Sequence, residues 1–132
     1  MREGDALKAG HKPLVRIVGH ATHAHEPALF TTAPVGAMQK LAKNIGWNLK
    51  DVDLFEINEA FAVVNAICIN EAGIPWERTN VHGGAISLGH PTGYTGARLT
   101  LHLANILKPG ELGLAAACGG GGLTGSLIIK GE

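Results

Sequence analysis

Long apolar runs are missing from this sequence of 132 residues. No stretch approaches the roughly 20 apolar residues that a bilayer-spanning helix needs, so no membrane association is predicted. Residues 1–12 are mixed and charged and lack the apolar core of a secretory signal. We therefore expect a cytoplasmic protein, with no organelle indicated.

An excess of charge of either sign is also missing. Lysine and arginine together number 11, as do aspartate and glutamate, so no net field attracts nucleic acid or an anionic membrane surface. Aromatic residues make up only 5% of the chain and form no platform on which bases could stack. Nucleic-acid binding is therefore excluded from the expected functions.

Cysteine is scarce. Cys68 and Cys118 lie 50 positions apart, without the partners of a disulfide framework, which predicts free thiols in a reducing compartment. The run His20, His23 and His25 could bind a metal. Such short motifs often match by chance, and this one follows a strand in a predicted loop, so no metal site is expected.

Glycine, in contrast, is abundant. The chain has 19 glycines, about twice the usual share, and twelve of them lie between Gly83 and Gly125. This local concentration indicates turns and close backbone approaches within a folded domain. With 45% hydrophobic residues the chain can build one packed domain over residues 1–132.

Strand-like and helical patterns alternate along the chain. Helices are predicted for Pro34–Ile45, Glu59–Ala72 and Tyr94–Leu107, with a weaker one within residues 1–12. Strands are predicted for Leu14–Gly19, Val52–Ile57, Thr79–Ser87, Gly113–Ala117 and Leu123–Lys130. The order predicts an α/β fold: a mostly parallel five-stranded sheet, helices on both faces, and an antiparallel C-terminal hairpin.

Asn58 stands where the second predicted strand passes into a helix, in the sequence N-E-A-F-A. Ligands of α/β proteins bind at such carboxyl ends of strands, and an amide there can hold a water or a carbonyl. Asparagine also caps many helices, and for this motif alone capping is the more common role.

His90 lies in the longest glycine-rich segment, Gly83–Arg98, between Gly89 and Pro91. A histidine held in a rigid turn before a helix can act as a base or a hydrogen-bond donor near neutral pH. An isolated His-Pro pair is usually only part of a loop, but the whole segment favours a functional histidine.

Cys118 ends a predicted strand and is followed by four glycines. Their unhindered N–H groups can stabilise a thiolate or a developing oxyanion. Taken alone, the pattern is equally typical of a flexible hairpin beside a buried cysteine.

Together the three segments resemble the thiolase family. They are N-E-A-F-A from Asn58, G-G-A-I-S-L-G-H-P-T-G-Y-T-G-A-R from Gly83 and C-G-G-G-G from Cys118. The second and third are specific, and the resemblance covers about Lys8–Glu132. Thiolases make or break a carbon–carbon bond between acyl groups on coenzyme A, and their fold has two similar α/β halves.

The resemblance implies that residues 1–132 form a thiolase C-terminal domain, without the N-terminal half and its coenzyme A-binding insertion. Acyl-CoA and coenzyme A are the implied substrates, with no cofactor. The N-terminal half, as a segment or a subunit, is the implied partner, and a homo-oligomer is expected. The implied reaction is thiolytic cleavage of 3-ketoacyl-CoA or condensation of acetyl-CoA.

The resemblance also assigns roles. His90 would activate a nucleophilic cysteine and donate to the thioester oxygen, and Asn58 would hold a water as the partner donor. Cys118 would be the acid/base. The Gly120 N–H would serve a second oxyanion hole, and Phe61 and Gly119 would contact the substrate.

The family's nucleophilic cysteine has no counterpart in this sequence. Cys68 falls on the apolar face of a predicted helix and is interpreted as core, so the chain alone is expected to be inactive. Two alternatives stay open: a non-catalytic domain that binds acyl-CoA or a partner protein, and a condensing enzyme for carrier-protein substrates. The second is disfavoured because such enzymes usually have histidine or asparagine in place of Cys118.

Overall fold

A computed structural model describes all 132 residues. The helices are α1 (Glu3–Lys8), α2 (Ala33–Ile45), α3 (Ala62–Ala72), α4 (Ala85–Leu88) and α5 (Thr95–Ile106). The strands are β1 (Val15–Ala24), β2 (Leu54–Ile57), β3 (Leu112–Cys118) and β4 (Leu123–Gly131). No helix is both long and apolar enough to cross a membrane.

The four strands form one sheet in the order β1-β4-β3-β2. β2 and β3 pair in parallel, whereas β4 pairs antiparallel with both β3 and β1. β1, β2 and β3 therefore run in the same direction, and β4 is inserted between β1 and β3. The predicted C-terminal hairpin is confirmed, but most ladders are antiparallel because the returning strand occupies the centre of the sheet.

The predicted fifth strand, Thr79–Ser87, is wrong. Only Thr79 forms a parallel bridge, to Phe55, and Asn80 then turns the chain with a φ of 48°. The Asn80 side chain takes the place of further strand pairing, since its Oδ1 accepts from the Ile57 N–H and its Nδ2 donates to the Ile57 carbonyl. A side chain, and not a fifth strand, therefore forms the hydrogen bonds of Ile57 at the outer edge of β2.

Helices cover both faces of the sheet, as predicted. α2 and α3 pack on one face, where Met38, Leu41 and Val64 meet Leu114 and Ile128 in the larger core. α5 packs on the other, where its buried leucines contact neighbouring residues of the same strands. The small alanines of β3 let helices approach from both sides.

Several element ends differ from the predicted ones. β1 continues to Ala24, into the predicted loop, because β4 pairs with it as far as Leu123. α3 begins at Ala62 rather than Glu59, since Asn58–Phe61 form an extended turn in front of it. Because β1, β2 and β3 run in the same direction, their carboxyl ends lie at one edge of the sheet, where the glycine-rich turn before β4 also lies.

Candidate active site

Asn58 and Cys118 come together at this edge because they follow neighbouring parallel strands. The last pair of the β2–β3 ladder is Ile57 with Ala116, and the Asn58 N–H donates to the Ala116 carbonyl at 2.9 Å. Cys118, the last residue of β3, lies just beyond. Asn58 is 1% exposed, so its amide is shielded from solvent.

His90 reaches the site from the turn between α4 and α5. Its Nε2 lies 3.5 Å from Asn58 Nδ2, and its Nδ1 lies 2.7 Å from the hydroxyl of Thr95. The turn begins at Gly89, whose φ of +94° suits glycine, and continues through Pro91. The imidazole is therefore held on both nitrogens.

A cavity of about 550 Å³ lies in front of these residues. His90 and Cys118 line it together with the glycine turn and the 3-10 turn that follows β1. The lining residues are Pro27, Phe30, Ala60, His90, Thr92, Cys118, Gly119, Gly120 and Gly121. Four predicted site residues therefore share one cavity, with Asn58 behind His90.

Phe61, like Asn58, is a predicted site residue that does not line this cavity. It is 60% exposed, lies outside α3 as its N-terminal flanking residue, and packs edge-on against Phe30 with ring centroids 6.0 Å apart. The contact of Phe61 with substrate stays a prediction. Phe61 packs against Phe30, which lines the cavity.

The backbone conformation requires glycine at only some of the four positions after Cys118. Gly121 and Gly122 have positive φ, and a Cβ on Gly122 would lie 2.2 Å from the His25 carbonyl oxygen, so the fold itself needs glycine there. Gly119 and Gly120 have neither constraint, and nothing lies within 4 Å of a Cβ on Gly120. The folding of this chain does not explain glycine at position 120.

Glu59 is a residue that the sequence analysis did not single out. Its carboxylate accepts from the Ile86 N–H at 2.8 Å and from the side chains of Asn65 and Asn80. A Cβ on Gly84 would lie 2.3 Å from the Glu59 carboxyl carbon, so a larger residue there would displace the Glu59 side chain. Glu59 thereby links the N-E-A-F-A turn to the segment that leads to His90. In the sequence, the only indication of this role is the position of Glu59 between Asn58 and Phe61.

The two thiols differ in environment. Burial raises the pKa of Cys68 to about 12, and its side chain is fully enclosed in the core between α3 and the sheet. Burial also raises the pKa of Cys118, which is only half-buried and faces the cavity. Neither is paired in a disulfide, so Cys118 is the thiol that can meet a ligand.

We expect a native chain to titrate as one accessible thiol and an unfolded chain as two. Cys118 should react slowly at neutral pH and faster as pH rises above the ordinary thiol range, because only the thiolate reacts. Alkylation followed by mass spectrometry, with Cys118→Ser as the control that leaves the native chain unlabelled, checks this. Rapid labelling of Cys68 in the native chain would contradict it.

A buried group of charged side chains lies beneath α5, on β2 near Asn58. Both Glu56 carboxylate oxygens are buried without a hydrogen bond. Oε2 lies 3.6 Å from Arg98 Nη1, and Oε1 lies 3.7 Å from His102 Nε2. Burial raises the pKa of Glu56 to about 7, with the Glu59 charge adding to it and Arg98 opposing. Burial, with the charges of His82 and Arg98, lowers the pKa of His102.

This environment predicts a pH-dependent stability. Folded Glu56 keeps a proton that the unfolded chain releases above about pH 4.3. The free energy of unfolding should therefore fall as pH rises from about 4 to about 7, by up to about 3 kcal/mol. Urea unfolding at several pH values should show this slope in the wild type and lose it in Glu56→Gln. A difference between the two chains that is constant with pH would contradict the assignment.

The histidine run does not gather into a metal centre. The rings of His23 and His25 lie 5.9 Å apart, the His23 ring packs over Gly36 of α2, and no group of three or more His, Cys, Asp or Glu side chains has the arrangement to hold a metal ion.

Known proteins resemble this chain in both sequence and structure. The family model for the thiolase C-terminal domain matches residues 11–131. The mitochondrial acetyl-CoA acetyltransferase of Mus musculus is 46% identical over 125 residues, 95% of this chain and 30% of that protein. The acetyl-CoA acetyltransferase of Bacillus anthracis has a TM-score of 0.95 at 40% identity, covering 100% of this chain and 34% of that one. A thiolase of Ascaris suum, solved in complex with coenzyme A, has a TM-score of 0.96 at 38% identity and covers 99% and 34%.

This chain thus spans about a third of the length of those relatives. The curated relatives include mitochondrial and cytosolic enzymes, so their compartments do not indicate one for this chain. The α/β fold, the order of the three motifs and these similarities agree. The chain belongs to the thiolase family and corresponds to its C-terminal domain.

Proposed function

We propose that this domain supplies the acid/base and oxyanion-binding part of an acyl-CoA acyltransferase site. The nucleophilic cysteine would come from a thiolase N-terminal half, as a further segment or a separate chain. The observation that carries the proposal is that His90 and the Cys118–Gly120 turn line one cavity, with Asn58 Nδ2 3.5 Å from His90 Nε2. Cys68, the only other thiol, is enclosed in the core and is unsuited to carry an acyl group.

His90 would first take the proton of the incoming nucleophilic cysteine, whose thiolate attacks the thioester of acetyl-CoA. As coenzyme A leaves, the Cys118 thiol gives its proton to the departing thiolate. The raised pKa of Cys118 keeps it a thiol until this moment and makes the resulting thiolate a stronger base. The acid of the first step therefore becomes the base of the second.

In the condensing direction, the Cys118 thiolate then removes an α-proton from a second acetyl-CoA. The enolate attacks the acetyl-cysteine carbonyl, a carbon–carbon bond forms, and the nucleophilic cysteine leaves and recovers its proton from His90. Thiolytic cleavage is the reverse sequence. The product is acetoacetyl-CoA, and each protein group returns to its starting protonation state.

The α-proton of a thioester is weakly acidic, so the enolate oxygen must be stabilised in the same step. We propose that His90 and a water held by Asn58 donate to it. The buried Asn58 Oδ1 has no partner within the protein, and a buried carbonyl oxygen of this kind usually accepts from a water. The Gly120 N–H would serve the second oxyanion. Folding does not require glycine at position 120. A close approach of the substrate to this position would explain why it is glycine.

Thiolysis of acetoacetyl-CoA by coenzyme A tests this function. The chain is assayed alone, mixed with the N-terminal segment of the Bacillus anthracis relative, and fused to that segment in place of its own last third. We expect no turnover from the chain alone and turnover from the mixture or the fusion. Turnover by the chain alone would place the nucleophile within residues 1–132 and contradict the proposal. A folded fusion that binds coenzyme A without turnover would instead support the non-catalytic alternative.

Homo-oligomer formation also stays a proposal. Ile86, Leu88 and Leu101 are each more than half exposed, and apolar side chains of this kind often lie at interfaces. Light scattering across a concentration series checks self-association, and a monodisperse monomer at high concentration would contradict it.

A further inference from the structure

We propose that Thr95 is a positioning residue that fixes the tautomer of His90, so that Nδ1 carries the proton and Nε2 presents its lone pair to the cavity. This inference rests on the role proposed for His90, but its first test does not depend on turnover. The observation behind it is a continuous series of contacts from Asn58 through both imidazole nitrogens and Thr95 to the Pro91 carbonyl.

Counting hydrogens along this series selects one arrangement. The Thr95 hydroxyl has one hydrogen, and it donates this hydrogen to the Pro91 carbonyl oxygen at 3.1 Å. Its oxygen is then free to accept from His90 Nδ1–H at 2.7 Å. With the proton on Nδ1, Nε2 is an acceptor, which matches the Asn58 Nδ2 group that faces it at 3.5 Å.

The opposite tautomer satisfies fewer contacts. A proton on Nε2 would face the Asn58 Nδ2 donor, so two donors would oppose each other. The bare Nδ1 would then need the Thr95 hydrogen, and the bond to Pro91 would be lost. Thr95 is 2% exposed, so water is poorly placed to replace a lost partner.

The fold holds Thr95 in this position. It begins α5, where its N–H also bonds the Pro91 carbonyl at 3.0 Å, and it is β-branched, with few side-chain rotamers available in a helix. Pro91 follows His90 directly, so the residue that accepts from Thr95 also restricts the backbone of the histidine turn. Thr95 thus bonds Pro91 through both its backbone and its side chain, and it contacts His90 through its side chain.

The consequence for the reaction is specific. An Nε2 lone pair facing the cavity is the form that can accept the proton of the nucleophilic cysteine. After that transfer, Nε2–H can donate to the developing oxyanion, while Nδ1–H stays bonded to Thr95 throughout. Thr95 therefore serves both proposed tasks of His90 without changing its own hydrogen bonds.

Histidine ¹⁵N NMR of the 132-residue chain at a pH where His90 is neutral measures the tautomer directly. The His90 signals are identified by their absence in His90→Ala. We expect the Nδ1–H form to dominate in the wild type and in Thr95→Ser, and a mixture of tautomers in Thr95→Val. Thr100→Val is the matched control, because Thr100 makes the same kind of bond to the Gly96 carbonyl, four residues back in α5, at 3.0 Å.

Turnover of the reconstituted enzyme provides the second readout. In Thr95→Val we expect kcat to fall by about ten- to a hundredfold, a loss like that seen when the outer partner of a functional histidine is removed. KM should change little, Thr95→Ser should recover most of the loss, and Thr100→Val should resemble the wild type.

Two results would overturn the proposal: a wild-type His90 protonated mainly on Nε2, or a Thr95→Val chain with the wild-type tautomer and wild-type kcat. The tautomer measurement uses the wild type, so it decides even if Thr95→Val fails to fold. If the NMR result is as expected but no reconstituted enzyme turns over, the proposed function fails while the tautomer assignment stands.

Discussion

Replacing His90 by alanine is expected to lower kcat for acetoacetyl-CoA thiolysis by about a thousandfold or more in the reconstituted enzyme. The substitution removes the proposed general base and the proposed oxyanion donor, and each of these functions is typically responsible for a hundredfold or more. Cys118→Ala should cause a loss of similar size, since the only other titratable side chain that lines the cavity is His90, which has its own proposed task. Steady-state kinetics, with circular dichroism to confirm folding, measures both.

Two substitutions serve as controls for these variants. His20→Ala removes an exposed histidine of β1 that makes no side-chain hydrogen bond to the protein, and Cys68→Ala removes the other thiol. We expect both to keep kcat within a few-fold of the wild type once stability is taken into account. A His90→Ala or Cys118→Ala enzyme as active as these controls would show that the cavity is not the reaction site.

Gly122→Ala is expected to destabilise the fold strongly although it adds a single methyl group. The new Cβ would lie 2.2 Å from the His25 carbonyl oxygen, at a φ of +79°. The backbone would have to shift, which breaks the bond from the His25 N–H to the Gly122 carbonyl at 2.9 Å. Backbone strain and this bond together should lower the free energy of unfolding by about 2–4 kcal/mol.

Gly125→Ala, in β4 and three residues after Gly122, is the matched control for the destabilisation by Gly122→Ala. Nothing lies within 4 Å of a Cβ at that position and its φ is not positive, so the free energy of unfolding should change by less than about 1 kcal/mol. Urea denaturation of the two variants beside the wild type measures the difference. Equal stability of the two variants would contradict the close backbone approach at Gly122.

The sequence predicted the elements whose signals are local. Pro34 near the start of α2, apolar residues at helical spacing and Gly46 after its end bounded the helix almost to the residue. The hairpin of β3 and β4 followed from the short connection through glycine. The convergence of Asn58 and Cys118 was predictable because both follow strands, and the carboxyl ends of neighbouring parallel strands meet at one edge of a sheet.

The remaining features depend on partners that are distant in the sequence. The short strand predicted at Thr79 fails because the Asn80 side chain bonds the Ile57 backbone, 23 residues earlier. β1 extends into the predicted loop because β4, more than 100 positions later, pairs with it. Glu59 and Thr95 acquire their roles only through contacts with Ile86 and His90, and no local pattern distinguishes them from ordinary polar residues beside a helix.

The position of the acyl group on the enzyme distinguishes an acid/base Cys118 from a nucleophilic one. The reconstituted enzyme is mixed with acetoacetyl-CoA in the absence of free coenzyme A, quenched in acid and digested, and each cysteine peptide is examined for the mass of an acetyl group. We expect an acetyl group on a cysteine of the N-terminal half and none on Cys68 or Cys118. Acetylation of Cys118 would make it the nucleophile and contradict the acid/base role that this site is proposed to supply.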